Sequence, residues 1–253
     1  MKILSWNVNG IRAVHRKNMT DWLFNESDAD VICLQEIKAD EPKIPQELIS
    51  PSGYKGIFNP AQKSGYSGTA IYTKAEPNTV TKVFGKTEID EEGRFIRVNY
   101  DEFAVLNFYI PNGGRDKDQL DSKIEFIHEL AEYVEKHKSE PLVLVGDFNI
   151  ARTEKDLAQP EENQDSVMFK PEERDAIAAL INAGLVDTFR EFNDKGGHYT
   201  WWAYWANSRA RNLGWRIDYC FVTEALRSKL GTAGILAEIT GSDHCPVFCE
   251  LEL

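Results

Sequence analysis

Eight short apolar runs, spread from one end of the chain to the other, constrain the fold more than any other feature. They read "KILSW" (2–6), "DVICLQ" (30–35), "GTAIYT" (68–73), "FIRVNY" (95–100), "FAVLNFYI" (103–110), "PLVLVG" (141–146), "RIDYCFV" (216–222) and "CPVFCELEL" (245–253). All have strand length. The last alternates, with Val247, Cys249 and Leu251 on one face and Glu250 and Glu252 on the other, as in a half-buried strand. Two stretches carry the other period. Leu120, Ile124, Ile127, Ala131 and Val134 share one helical face within 117–137. "KPEERDAIAALINAG" (170–184) has Pro171 in its first turn and Gly184 as a stop. "YDEF" (100–103) sets two polar residues between two runs, a hairpin signal. Strands joined here by hairpins and there by helices predict an α/β protein with mixed sheets in layers. Neither GxGxxG nor GxxxxGK(S/T) follows a strand, which argues against a nucleotide-phosphate loop.

No linker, low-complexity tract or charge block divides the 253 residues, so a single domain over 1–253 is expected. No apolar run approaches the ~20 residues that span a bilayer, and "MKILSWNVNG" turns polar too early for a signal peptide. Those two points predict a cytoplasmic protein without a membrane partner. Cys33, Cys220, Cys245 and Cys249 lack zinc-ribbon spacing, and Cys33, Cys220 and Cys249, set inside apolar stretches, read as buried reduced thiols. The net charge of −12 opposes indiscriminate attraction to DNA or anionic lipid. It still permits a polyanion received by a local basic rim and a bound cation.

The chemistry lies in what ends the apolar runs. "ILSW" ends in Asn7, with Asn9 two residues on; "VICLQ" ends in Glu36; "LVLVG" ends in Asp147, with Asn149 following. Asp218 is embedded in "WRIDY", and "GSDHCP" places Asp243 beside His244. A carboxylate after a strand is commonly a turn former or a helix cap. Asp218, between Ile217 and Tyr219, is costly to bury without a partner; Arg216 and His244 are both candidates. If these acids converge, two carboxylates 4 Å apart repel by ~4 kcal/mol at an effective dielectric of ~20. Only a cation or a shared proton stabilises such a cluster. Oxygen donors favour Mg²⁺, with Mn²⁺ as a substitute, and imply phosphodiester hydrolysis.

"SWNVNGIRA", "CLQEIK", "GYSGTAIYTK", "YIPNGGR", "VGDFNIA", "TWW", "GWRIDY" and "GSDHCP" appear in the order found in the exonuclease III family of apurinic/apyrimidinic (AP) endonucleases. The chain resembles that family, part of the deoxyribonuclease I-like superfamily, over 2–248. The resemblance implies a four-layer α/β sandwich, two mixed β-sheets packed face to face and flanked by helices. It places Asn7, Glu36, Asp147, Asn149 and Asp243 in the metal neighbourhood, with Asn9 at a variable position. It makes Tyr109, Asp147, Asn149, Asp218 and His244 catalytic: Asp147 prepares the attacking water, and Asp218 orients the His244 that contacts the phosphate.

For DNA binding the resemblance points to Arg12, Tyr66, Asn112 and Arg115, to Trp201, Trp215 and Ile217 around an extruded abasic sugar, and to Trp205 as a wedge. Trp202 is expected in the core, and Arg209 and Arg211 join the aromatic–basic stretch. The implied function is Mg²⁺-dependent hydrolysis 5′ to an abasic site in duplex DNA, giving a 3′-hydroxyl. 3′-Phosphodiesterase or 3′→5′ exonuclease action on blocked 3′ ends would accompany it, in a monomer. The alternatives are a phosphatase or phosphodiesterase of the same fold acting on a small phosphoester, or a non-catalytic DNA-binding relative.

Overall fold

In a computed structural model, which describes residues 1–51, 53–114 and 117–253, the apolar runs form two six-stranded mixed sheets. One contains β1 (Lys2–Asn7), β2 (Val31–Gln35), β3 (Lys55–Asn59), β4 (Thr69–Thr73), β11 (Leu230–Ile235) and β12 (Val247–Leu251), in the order β11-β12-β1-β2-β4-β3. The other contains β5 (Thr79–Thr81), β6 (Phe95–Asn99), β7 (Ala104–Tyr109), β8 (Leu142–Asp147), β9 (Leu185–Asp187) and β10 (Asp218–Thr223), in the order β5-β6-β7-β8-β10-β9. The hairpin expected at "YDEF" joins β6 to β7, with Asn99 opposite Ala104.

Continuous apolar runs result because the central strands are covered on both faces. In β1, Ile3 points between the sheets while Leu4 points outward. In β8, Val143 and Val145 point inward, and Leu142 and Leu144 outward. The inner layer joins Ile3, Cys33 and Ile71 to Val105, Val145 and Val222 across the gap. One outer face packs under Phe126, Ile127, Leu130 and Val134 of the helix Lys117–His137 and Ile177 and Leu180 of the helix Pro171–Asn182. The other packs under Val14 and Leu23. The result is the four-layer α/β sandwich. The four cysteines are free and buried, and no helix among the described residues is long and apolar enough to cross a membrane.

Topology explains why distant acids meet. β1 and β2 run parallel, as do β7 and β8, so Asn7, Gln35, Tyr109 and Asp147 all stand at strand C-termini. β10 and β12 run antiparallel to β8 and β1, which brings Asp218 opposite Asp147 and the Asp243–His244 pair before β12 to the same edge. A polar clamp fixes the two sheets near this edge. Buried Gln35 donates to Asn107 Oδ1 at 2.7 Å, and Asn107 donates back to the carbonyls of Leu34 and Ala70. Gly146 is a close approach: at φ +145° a Cβ there would lie 1.9 Å from the Phe108 carbonyl oxygen, so a side chain would push Asp147 away from β7.

Candidate active site

The chain is in a left-handed conformation where it leaves the strands. Asn9, Glu36, Lys38 and Asn149 have φ of +44°, +52°, +48° and +52°, each costing on the order of 1 kcal/mol for a residue with a Cβ. Backbone bonds hold these turns: the Glu36 carbonyl accepts from Gly10 N at 2.7 Å, and Lys38 N donates to the Ser67 carbonyl at 2.9 Å. The turns aim side chains into the gap between the sheet ends.

Asn7 is the bridge. Its Nδ2 donates to Glu36 Oε1 at 2.9 Å and to Asp147 Oδ2 at 2.8 Å, while its Oδ1 accepts from Asn9 N. Asn149 donates its backbone N–H to Asp147 Oδ1 at 2.9 Å and its Nδ2 to the Ile110 carbonyl, and it receives Asn112 Nδ2 on its Oδ1. On the far side of Asp147, His244 Nε2 lies 3.9 Å from Oδ2, and His244 Nδ1 is 2.9 Å from Asp218 Oδ2. The second carboxylate oxygen of Asp218 is buried without a partner. Asp218 therefore pairs with His244. The other candidate, Arg216, is drawn to Asp156 and, bidentately, to Asp187.

Asp243 is held by uncharged donors: Asn9 Nδ2 at 2.9 Å, Trp201 Nε1 at 3.0 Å and the Tyr204 hydroxyl at 3.3 Å. Tyr109 lies under the Arg94 guanidinium, 4.3 Å from its ring, and Arg94 also reaches the Tyr66 hydroxyl at 3.3 Å.

Burial and neighbours set the protonation states. Burial, then the Asp218 carboxylate, pushes Asp147 up to about 7, against the opposing pull of His244 and Asn7. Burial would lower His244, but Asp218, Asp147 and Asp243 overcome it and push the imidazole up to about 10. Burial would raise Glu36; the Lys38 charge and hydrogen bonds from Asn7 and Lys38 outweigh it and hold that carboxyl below its usual range. Burial, then the Glu36 charge, carries the Tyr109 phenol well above its ordinary value, so it remains a neutral O–H donor.

The donors of Asp147, Asp218 and His244 lie within 4.8 Å of one another, close enough to hold a cation. A protonated His244 has no lone pair to give, however, which leaves an oxygen set centred on Glu36 and Asp147. The Lys38 ammonium already sits 2.5 Å from both Glu36 Oε2 and Asn9 Oδ1. A positive charge is thus accommodated at these oxygens, and their hardness suits a divalent ion of the magnesium type.

Beside the acids opens a cleft of about 360 Å³ lined by Met168, Trp201, Trp205 and Trp215. Ile217 is 1% exposed and forms part of the apolar bed, with Leu157 and Phe169, beneath Trp201 and Trp215. Trp202 is in the core as expected, while Trp205 is 72% exposed. Tyr66 is partly exposed, and Arg12 is exposed and donates to the Lys38 carbonyl. Arg115 lies outside the described residues. Arg209, expected among the basic residues for a backbone, is instead spent inside the protein. Its guanidinium donates to the carbonyls of Ser242, Ala237 and Ile239 and covers the Trp202 ring at 4.6 Å. Lys38 and Arg94 are the members that sequence reasoning missed. Lys38 sits in "QEIK", where its spacing from Glu36 was a usable signal; Arg94 precedes a strand like any surface cation.

A two-sheet sandwich with carboxylates, amides and a buried acid–histidine pair gathered at one edge defines a class of metal-assisted phosphoester hydrolases. The sequence matches the Endonuclease/Exonuclease/phosphatase family over residues 4–244, and the chain belongs to that family. Within it the chain is a nuclease of the exonuclease III-type AP endonuclease group. It is 42% identical over 249 residues to an exodeoxyribonuclease of Bacillus subtilis (strain 168), covering 98% of both chains. It is 40% identical over 251 residues to the DNA repair nuclease APEX1 of Danio rerio, covering 98% of this chain and 81% of that one. The structure of an AP endonuclease from Archaeoglobus fulgidus superposes with a TM-score of 0.91 at 27% identity, covering all of both chains.

Proposed function

We propose that this protein hydrolyses the phosphodiester 5′ to an abasic site in duplex DNA, leaving a 3′-hydroxyl. It also clears blocked 3′ ends by 3′-phosphodiesterase or 3′→5′ exonuclease action, in the cytoplasm and as a single-domain monomer. The observation that carries this reading is the junction of Asp147 and the Asp218–His244 pair with a tryptophan-lined cleft on the same edge. The relatives' names, an exodeoxyribonuclease and a DNA repair nuclease, point the same way.

Asp147, with its carboxyl near neutrality, is poised to take a proton from the attacking water. The His244 imidazolium faces the non-bridging oxygens, where negative charge grows during in-line attack, and Asp218 fixes its orientation. Asn7 and Asn149 align Asp147 through their hydrogen bonds. Tyr109, kept neutral, offers an O–H beside the departing oxygen. A divalent cation, Mg²⁺ or Mn²⁺ in its place, supplies Lewis-acid neutralisation of the phosphoryl charge; Glu36 and Asp147, with Asn7, Asn149 and Asp243 around them, would hold it. Trp201 and Trp215, over Ile217, receive the extruded sugar, which costs less to flip because it carries no base. Arg12, Tyr66, Asn112 and Arg115 grip the backbone, and Trp205 wedges into the duplex.

The test is a labelled duplex carrying one tetrahydrofuran abasic analogue, with Mg²⁺ or with chelator. Metal-dependent incision 5′ to the analogue, lost in Asp147→Ala while lesion binding persists, is expected. Binding without incision, or release of phosphate only from small esters, would overturn the reading.

A further inference from the structure

Lys123 is a charged residue buried to 0% exposure in the helix Lys117–His137, paired with an equally buried Glu173 of the helix Pro171–Asn182. Burying such a pair contributes little net stability and is often matched by apolar residues of similar volume. A buried ammonium therefore calls for an explanation beyond holding two helices together.

Its contacts supply one. The three donors of Lys123 Nζ are committed to Glu173 Oε1 at 2.5 Å, to the Asn149 carbonyl at 2.8 Å and to the Asn112 carbonyl at 3.0 Å. The two carbonyls belong to the two residues whose side chains join at the edge of the site, Asn112 Nδ2 on Asn149 Oδ1 at 3.1 Å. Asn149 in turn sits at φ +52° and holds Asp147 through its own N–H. A left-handed asparagine needs its surroundings to keep it there, and a single ammonium grips both loops from beneath. Gly113, next to Asn112 in the chain, leaves the space: a Cβ there would lie 3.0 Å from Lys123 Cδ.

We infer that Lys123 is a positioning residue for hydrolysis. Through the Asn112 and Asn149 carbonyls it sets the direction in which the two amides, and behind them Asp147, face the reacting phosphate. Glu173 is its counter-charge and is hydrogen-bonded to neither asparagine side chain; its other oxygen accepts from Lys170 N at 3.1 Å and caps its own helix.

The inference rests on the proposed incision activity, and its test separates the two. Three variants are compared with the wild type: Glu173→Gln, Lys123→Met and Lys123→Met/Glu173→Gln. Lys123→Met alone strands a buried carboxylate and is expected to fold poorly. The double variant removes both charges while keeping an oxygen for the Lys170 N–H. Four quantities are read: Tm, affinity for the abasic duplex in chelator, the single-turnover incision rate with Mg²⁺, and the side-chain amide resonances of Asn112 and Asn149. Glu173→Gln is expected to cut within about threefold of the wild-type rate. The double variant is expected to melt and bind like Glu173→Gln but cut ~100-fold more slowly, the scale of an ~1 Å misplacement of a reacting group. Its two asparagine amide resonances should move together.

Equal rates in the double variant and Glu173→Gln would overturn the inference, as would amide resonances unmoved by the loss of Lys123. Failure of the wild type to incise would instead overturn the activity, and the resonances would still decide the part played by Lys123.

Discussion

Asp218→Asn separates charge from shape in the acid–histidine pair. An asparagine oxygen still accepts from His244 Nδ1, 2.9 Å away, so the ring keeps its orientation. The negative charge is lost. In the native protein His244 stands at about 10 although burial alone would lower it, and Asp218 is the largest of the groups raising it. The displacement from an ordinary 6.5 represents on the order of 5 kcal/mol of net preference for the imidazolium. With Asp218 neutral and the burial unchanged, we expect a fall of ~3 units, to ~7. At pH 8 the protonated fraction then drops from ~0.99 to ~0.1, a tenfold loss of the form that opposes phosphoryl charge.

Asp147 moves the same way, because Asp218 is the leading charge holding it up to about 7. Both limbs of the pH–rate profile should shift toward acid, with the variant partly recovering near pH 6. Two measurements check this: incision rate against pH on the abasic duplex, and an NMR titration of the His244 ring in metal-free protein. An unchanged His244 midpoint in Asp218→Asn, or a native ring already neutral at pH 7, would refute the reasoning.

Four further outcomes are expected. His244, raised in the folded state, adds stability that is complete below pH ~6.5 and lost as pH rises toward 10; Asp147, also raised, makes the fold less stable as it ionises between pH ~4 and 7. Divalent cation binding needs Asp147 ionised, so Mg²⁺ should raise Tm more at pH 8 than at pH 5.5, and equal increments in thermal melts would contradict this. Asp187→Ala leaves the buried Arg216 without its bidentate partner and should cost ~3–5 kcal/mol in urea unfolding; a loss under ~1 kcal/mol would show that Asp156 alone suffices. Trp205→Ala, at a 72% exposed position, should leave stability within ~0.5 kcal/mol yet weaken lesion binding or speed product release, and no change in either would retire the wedge.

The central strands were legible because each is covered on both faces and so reads as an unbroken apolar run, as in "LVLVG" and "VICLQ". Four strands left weaker traces. β5 is three exposed residues at a sheet edge, β9 is three residues long, β3 opens on a lysine and a glycine, and β11 is built largely of small residues. None gives a period of its own; pairing with a neighbour creates each of them. The polar residues ending the strong runs marked the site, since a rigid strand end fixes whatever follows it.

What the sequence determined by itself was periodicity, and with it mixed sheets in layers and acids at the ends of their strands; the four-layer sandwich was implied by the family resemblance. Partner choice was decided only by the tertiary structure. Asp218 could have taken Arg216, but Asp156 and Asp187 claim that guanidinium from 60 and 29 residues away. Arg209 spends its donors on loop carbonyls, and Lys123, at the margin of an amphipathic helix, grips two site loops from below. The physical reason is that periodicity arises between neighbours in the chain. A buried charge is satisfied by whatever lies within about 3 Å in space, and chain connectivity does not encode that distance.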